Sequence, residues 1–511
     1  MLLSLVILAA IVAVSAQALR RHISLRHIPA AGHGGIFSSY ITSLRFTINA
    51  ESVLYDGYKK YKGRIFKVAQ MDRWIAFASG DALLENLRTA PEHVLSMEAA
   101  MVDLLQSDYT LGEEIRRDAY HVGVIRHILS KNLAVILPEI LDEMVSATDD
   151  LIRTNLSKDI WVPIRATETF SKIVCRATNR AFIGLPLCRD EEYCSVNLQF
   201  TNHVVFGTVF TGMFPSFLKP VAGQIWSKVY GLQERLLRTI RPIISERRHH
   251  IQEYGPSYPD KPNDMLSWLM DAATPGHCQT DESLAVRMLN VNFLALHTTS
   301  STFVHALYHL ASKPTYINIL REELIDNLGP NRLRSANDWV SDKLEKCWKL
   351  DSFFKESQRL NGMGAMSLPR KVMVPFTFSD GTVLPPGIIV AAAPTATHRD
   401  ESLYNNAAEF DGLRFSKTRE NLVMQGKSDK IEEERLRLTS THNYLSFGGG
   451  RHACPGRFFA STILKSMMAH VILNYDVKLE SGQRPADEWY GPMCMPSRKA
   501  KVFKALEYSR H

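Results

Sequence analysis

The chain has 511 residues, 45% hydrophobic and 22% charged, the composition of a packed globular body and not of an extended disordered chain. Its formal charge of +7 is modest and dispersed, which excludes a nucleic-acid partner but suits an anionic membrane surface or an acidic protein. Seven scattered cysteines, with no CxxC pair or zinc-like spacing, exclude a disulfide framework and point to a reducing compartment.

In chain order, residues 1–19 are almost wholly apolar and are followed by Arg20, Arg21 and Arg26. About 19 helical residues come close to the ~30 Å hydrocarbon core of a bilayer. Positive charge after the run predicts a lumenal N-terminus and a cytoplasmic body. The expectation is a transmembrane signal anchor over 1–19, a single pass in the endoplasmic reticulum membrane. A cleaved signal peptide is the rival, resting on the small residues Val14, Ala16 and Ala18, but no basic segment precedes the run. A basic, Gly/Pro-rich hinge over 20–35, containing Pro29-Ala-Ala-Gly-His-Gly-Gly, leads into a catalytic domain over 36–511.

Within that domain, residues 36–80 mix short apolar runs with turn residues and predict a few strands. Helical periodicity dominates over 81–352, with examples at 138–156, 229–252 and 281–312, the last ending just before Pro314. Over 368–390 the texture turns to β. Val372, Val374, Phe376 and Phe378 alternate, and Ser379-Asp380-Gly381-Thr382 supplies a hairpin turn. The charged stretch 427–437 reads as a solvated surface insertion. The sequon Asn155-Leu-Ser157 would not meet the glycosylation machinery in a cytoplasmic body.

The strongest chemical signal is Phe447-Gly-Gly-Gly-Arg-His-Ala-Cys-Pro-Gly-Arg-Phe-Phe-Ala460. Three glycines let the backbone take positive φ and approach a bulky group. Cys454 stands at the start of an apolar helical pattern with Pro455 suited to its first turn, where free N–H groups favour a thiolate. A structural cysteine after a Gly-rich turn would explain Cys-Pro-Gly alone, but not the joint offsets of Phe447, Gly450, Cys454 and Gly456.

This segment resembles the haem-binding loop of the cytochrome P-450 enzymes, FxxGxxxCxG. The resemblance extends from about residue 36 to the C-terminus and implies a mainly α fold, a large helical domain with a small β-rich subdomain. It implies haem b as cofactor, with the Cys454 thiolate as axial ligand of the iron, Phe447 packed beside it and His452 on a propionate. Thiolate donation favours O–O cleavage, the chemistry that hydroxylating an unactivated C–H bond requires.

Glu356-Ser-Gln-Arg359 places two opposite charges on one helical face. Other ExxR pairs, such as Glu113–Arg116 and Glu432–Arg435, read as exposed helix pairs. The order of Glu356–Arg359, the β segment and Phe410-Asp-Gly-Leu-Arg414-Phe415 resembles the family's K-helix and the segment after it. That likeness implies a Glu356–Arg359–Arg414 network bracing the haem side. Arg414 stands in an altered form of the usual Pro-Glu-Arg-Phe.

Leu294-Ala-Leu-His-Thr-Thr299 resembles the family's [A/G]GxD/ETT helix over the distal haem face. Thr298 takes the place of the proton-delivering threonine, Ala295 that of the glycine and His297 that of the acid. A helical threonine otherwise bonds its i−4 carbonyl, and a histidine otherwise packs. The His-Thr-Thr-Ser pattern resembles fungal members that oxidise terpenoids. Arg370 matches a propionate-binding arginine. Arg126 matches the arginine of the WxxxR helix, with Val122 where the tryptophan would stand. Arg116, Arg117, Lys131, Arg451 and Arg457 form a candidate docking face for NADPH-cytochrome P-450 reductase.

The family's substrate-contacting stretches correspond to about 97–119, 200–217, 291–298, 361–369 and 490–496. The second carries Phe200, Phe206, Phe210, Phe214 and Phe217, which suit a large apolar molecule or simply pack helices. The expected function is a monooxygenase acting on a lipophilic metabolite, a terpenoid in fungal secondary metabolism. Electrons would come from NADPH through a separate reductase, since no flavin or dinucleotide fingerprint occurs. The alternatives are a haem-thiolate isomerase, dehydratase or peroxygenase that needs no reductase, and a non-catalytic haem or lipid carrier.

Overall fold

The computed structural model describes residues 25–152, 161–228, 231–273, 280–329, 341–426 and 443–506, with positions 15, 19 and 23. The anchor expected over 1–19, the sequon and the charged stretch 427–437 lie outside the described residues, apart from positions 15 and 19 of the anchor. Among the described residues no helix is long and apolar enough to cross a membrane.

The helix Asp281–Ser312 runs through the middle of the helical body as expected. The Thr280 side chain caps it by accepting from the Ser283 N–H (3.1 Å), and Asp281 and Glu282 complement the positive end of its dipole. Its sides are buried all round over most of its length, because Ala166–Phe182, Glu191–Gly212, Leu232–Tyr254, Trp348–Leu360 and Arg457–Asn474 all pack against it. These helices share one large apolar core.

A five-stranded sheet forms the β-rich part. Its spatial order is Ile65–Ala69, Trp74–Ala78, Ile389–Ala392, Ser367–Val372, Leu95–Ser96, antiparallel except where Trp74–Ala78 meets Ile389–Ala392. Both faces are covered, so the two strands that pair in parallel, Trp74–Ala78 and Ile389–Ala392, are apolar without a break. Ile65 and Ala69 feed one cluster while Phe66 and Val68 feed another. The expected hairpin turn forms, with Gly381 at φ +81 and the Thr382 N–H on the Asp380 carboxylate at 2.9 Å.

Three expectations change. Over 36–80, two helices, Ser39–Ile48 and Ala50–Lys60, precede a single hairpin. Phe46, Ala50, Val53, Leu54 and Tyr58 recur at helical spacing against the sheet, and Asn49 caps the second helix through the Ser52 N–H (3.0 Å). The hinge is, in its described half, docked: Ala31 donates to Lys67 O (2.9 Å) and Lys67 donates to Pro29 O (2.8 Å). The edge strand has free backbone groups there, and this segment satisfies them. Pro138 also lies inside its helix, Ser130–Ile152, and not at its start.

Burial holds several imidazoles neutral. The pKa values of His121 and His297 are pushed down to about 4 and those of His309 and His398 to about 3, in each case chiefly by burial. An unfolded histidine titrates near ~6.5. Above that pH neither state is charged. As pH falls from ~6.5 towards 4, the unfolded chain takes up protons the folded chain refuses, so stability is lost on the acid side. Each such histidine contributes a slope of about 1.4 kcal/mol per pH unit. The urea midpoint of the protein is expected to fall steeply between pH 6.5 and 4.5, and a flat profile there would refute the assignment.

Candidate active site

The loop before the helix Arg457–Asn474 is shaped by glycine. Gly448 and Gly450 sit at φ +72 and +63, and a Cβ on Gly450 would lie 2.6 Å from the Arg88 carbonyl oxygen. The chain reverses there, and the Cys454 N–H donates to Phe447 O at 2.9 Å. The loop is tied back to the helix Trp348–Leu360 by Tyr444, whose hydroxyl donates to Gln358 Oε1 (2.7 Å). His398 makes a second tie: Nε2 accepts from the Leu445 N–H (2.9 Å), which leaves Nδ1–H to donate to Arg359 O (3.1 Å).

Cys454 lines a cavity of about 610 Å³ that also receives Phe447, His452, Arg370 and, from the central helix, Thr298. The lining positions of that helix are Val291, Leu294, Ala295, Thr298, Thr299 and Thr302, one face at i, i+3, i+4 and i+7 spacing. The Thr298 hydroxyl donates to Leu294 O (2.9 Å) while its side chain stays exposed to the cavity. His297 lies off this stripe and does not line the cavity. The sequence order therefore places Thr298 and His297 side by side, but only Thr298 on the wall.

One expectation about Cys454 is corrected. The helix begins at Arg457, beyond Gly456, so Cys454 is not in its first turn. Burial pushes the thiol pKa up, and the Gly456 N–H and Arg457 pull it down without prevailing. A bound metal cation deprotonates such a thiol outright.

The residues fit a haem. Arg370 is fully buried beside the cavity, with one donor on Pro369 O (2.8 Å) and its Nε and Nη2 without any protein partner. Burial, only partly offset by Glu92, lowers its pKa to about 10. A desolvated guanidinium with spare donors is built for an anion. His452 is close by, its Nε2 3.1 Å from Glu92 Oε2, and its pKa is lowered by burial and by Arg370, Arg126 and Arg451. Arg126 itself is exposed, on the irregular turn Val124–Leu129. Propionate groups would thus meet Arg370, His452 and Arg126. Arg370→Met is expected to leave the haem-free protein unchanged or more stable and to speed haem loss from the loaded protein. Transfer of haem to apomyoglobin measures the second effect, and unchanged transfer would refute the role.

Glu356, Arg359 and Arg414 meet as expected. Arg359 Nε and Nη2 donate to Glu356 Oε2 and Oε1, both at 2.8 Å, and Arg414 Nε lies 3.1 Å from each oxygen. Glu356 and Arg359 side chains are fully buried. Arg359 also donates to the carbonyls of His398, Ala407 and Glu409, and Arg414 to that of Asn405.

Of the candidate docking cations, Arg116, Arg117, Lys131 and Arg451 are exposed, the first two paired with Asp108 and Glu113 and Arg451 donating to Thr89 O (3.3 Å), while Arg457 is half-buried and donates to Cys454 O (3.0 Å). The phenylalanines of 200–217 mostly pack: Phe206 meets Tyr490 edge-on and Phe210 stacks on Trp226. The cavity wall from that stretch is Thr208, Val209, Gly212 and Met213. Sequence reading missed the tie made by His398, and also Asp72 and Arg73, cavity residues from a hairpin turn with no motif to mark them. A buried cluster of His305, Asp487 and Cys494 has metal-like donors. Arg484 already supplies the cation there, with Nη2 2.7 Å from Asp487 Oδ1 and 2.9 Å from His305 Nδ1.

The comparisons agree with this site. The family profile described as cytochrome P-450 matches residues 41–503. Cytochrome P-450 monooxygenase 151 of Postia placenta is 39% identical over 94% of this chain and 93% of its own length. Cytochrome P-450 monooxygenase CYP512U6 of Ganoderma lucidum is 33% identical over 90% and 88%. Cytochrome P-450 monooxygenase olcJ of Penicillium canescens is 32% identical over 91% and 85%. The chain belongs to the cytochrome P-450 family. It is an oxidoreductase of the monooxygenase type, and haem iron with a cysteine thiolate ligand is its family's cofactor.

Proposed function

We propose that this enzyme hydroxylates, or oxidises in several steps, a lipophilic metabolite of the terpenoid kind, using O2 and electrons passed from NADPH by a separate flavoprotein reductase. The observation that carries the reading is the single cavity wall shared by Cys454, Thr298 and a largely apolar lining that includes Met97, Met101, Leu294 and Met493. Haem bound through Cys454 supplies oxygen activation. The protein's residues do the rest. The apolar wall orients the substrate and excludes water, and the Thr298 hydroxyl holds a proton at Oγ1 on the cavity face. His297, a neutral imidazole behind that face, holds a further proton. Fully coupled turnover by His297→Ala would end that part of the reading.

Apolar side chains exposed on two segments support a membrane-resting body. Ile41, Leu44 and Ile48 share one helix face, and Phe217, Val221 and Ile225 lie on a second segment. Both segments adjoin the cavity, which Phe46 and Met213 line. Such patches suit a lipid surface from which an apolar substrate enters. The endoplasmic reticulum membrane is the proposed location.

The test is reconstitution with reductase, NADPH and ¹⁸O2 against a terpenoid panel, reading label in the product. Product formed without reductase, or without label, would replace this reading with an isomerase, dehydratase or peroxygenase. In the same assay Thr298→Ala is expected to lower product per NADPH consumed severalfold while peroxide rises. An unchanged ratio would remove Thr298 from proton handling.

A further inference from the structure

Away from the haem-binding loop, the cavity wall carries charge. The hairpin turn contributes Asp72 and Arg73, the helix Met97–Leu105 contributes Asp103, and Lys219 opens the helix Lys219–Lys228. Lys219 Nζ lies 2.6 Å from Asp72 Oδ2. Arg73 bridges Asp72 (2.8 Å) and Asp103 (3.1 Å), and Lys371 reaches Asp103 from behind at 2.9 Å. Among the described residues the cluster therefore holds three cations against two carboxylates.

Lys219 and Asp72 are desolvated, with side chains 8% and 6% exposed, whereas Arg73, Asp103 and Lys371 are part-buried. Burying charge in an apolar cavity is costly unless every charge is matched. Within the cavity wall the charges match two and two, and the fifth, Lys371, lies outside it with its side chain 27% exposed; the Lys219 ammonium still has donors beyond the one on Asp72. Lys219 also stands where its helix N-terminus adds positive potential, the end at which a cation is disfavoured and an anion favoured. A wholly neutral ligand would seal the wall from water and leave those spare Lys219 donors unsatisfied. A carboxylate would complete it.

We propose that Lys219 and Arg73 form a carboxylate-recognition site, and that the substrate is an amphipathic monocarboxylic acid. Its apolar body lies along Met97, Met101 and Leu294, and its carboxylate accepts hydrogen bonds from Lys219 Nζ and Arg73. This rests on the cavity being the substrate site proposed above. Asp72 then tunes the site by competing for Lys219.

The test is a spin-state titration of the haem-loaded enzyme with hexadecanoic acid and dehydroabietic acid, each beside its methyl ester. At least one acid is expected to bind about tenfold or more tightly than its ester, as a charge-assisted hydrogen bond allows. Lys219→Met should abolish that preference. Asp72→Asn should sharpen it, because it frees Lys219, whereas a purely structural role for the pair would weaken acid and ester alike in both variants. Should Lys219→Met fail to fold, the sign of the Asp72→Asn effect decides. Acids binding no better than esters, acids failing to shift the spectrum, or a preference that survives Lys219→Met would overturn the proposal. A wild-type protein without the red-shifted carbon monoxide band would instead overturn the haem-thiolate reading, and the substrate site with it.

Discussion

Cys454→Ser protein is expected to lose the red-shifted Soret band of the reduced, carbon monoxide-bound haem and, with it, all reductase-dependent product. The substitution exchanges one atom in a half-buried side chain at the foot of a 610 Å³ cavity, so packing is hardly disturbed. The N–H to Phe447 O bond belongs to the backbone and survives. What changes is the donor. A hydroxyl gives up its proton far less readily than a thiol and is a weaker, harder ligand, so the strong electron donation that thiolate supplies is gone. Difference spectra of wild type and variant, with equal haem loading confirmed independently, make the comparison. A variant that kept the band would mean that another residue ligates the iron. Cys494 would not be that residue, since it lies with His305, Asp487 and Arg484, whereas Cys454 lines the cavity.

Glu356→Ala is expected to cost about 3–5 kcal/mol of stability and to leave a protein that holds haem poorly. The carboxylate is fully buried and anchors two guanidiniums, Arg359 at 2.8 Å and Arg414 at 3.1 Å, besides the Asp411 N–H at 3.0 Å. Removing it leaves cationic groups buried without their counter-charge. The damage spreads to the site through Arg359, whose carbonyl accepts from His398, while His398 accepts from Leu445 at the entrance to the haem-binding loop. Urea unfolding gives the stability and the carbon monoxide spectrum gives the haem-binding competence. Glu113→Ala, which breaks pairs of the same ExxR type on an exposed helix, is expected to change neither. Equal effects at both positions would show that the buried network does not brace the loop.

The contrast between those two glutamates marks what a linear reading can supply. Glu113-x-x-Arg116 and Glu356-x-x-Arg359 are the same pattern. Only burial, and the arrival of Arg414 from 58 residues away, separates a surface pair from a structural centre. The helix 281–312 and the 379–382 turn are legible because their signals are local: a cap, a period, a glycine at positive φ. Within 36–80 the hairpin is legible, but residues 39–60 read wrongly as strands because short helices over a sheet show apolar runs of similar length, and the surface they pack against decides between the two.

The sequence by itself marked out the loop around Cys454, since Phe447, Gly450, Cys454 and Gly456 stand in one short segment whose conformation follows from its own glycines. It also singled out Thr298 on the central helix and Arg370 just after the helix of Glu356 and Arg359, both of which line the cavity with Cys454. Only the tertiary structure decided that His297 faces away from the cavity, that His398 ties Arg359 to Leu445, and that Asp72, Arg73, Asp103 and Lys219 meet in one wall. The physical reason is that these groups act across elements far apart in the chain. Their burial, and the charge each one faces, exist only once the helices and the sheet have closed on one another.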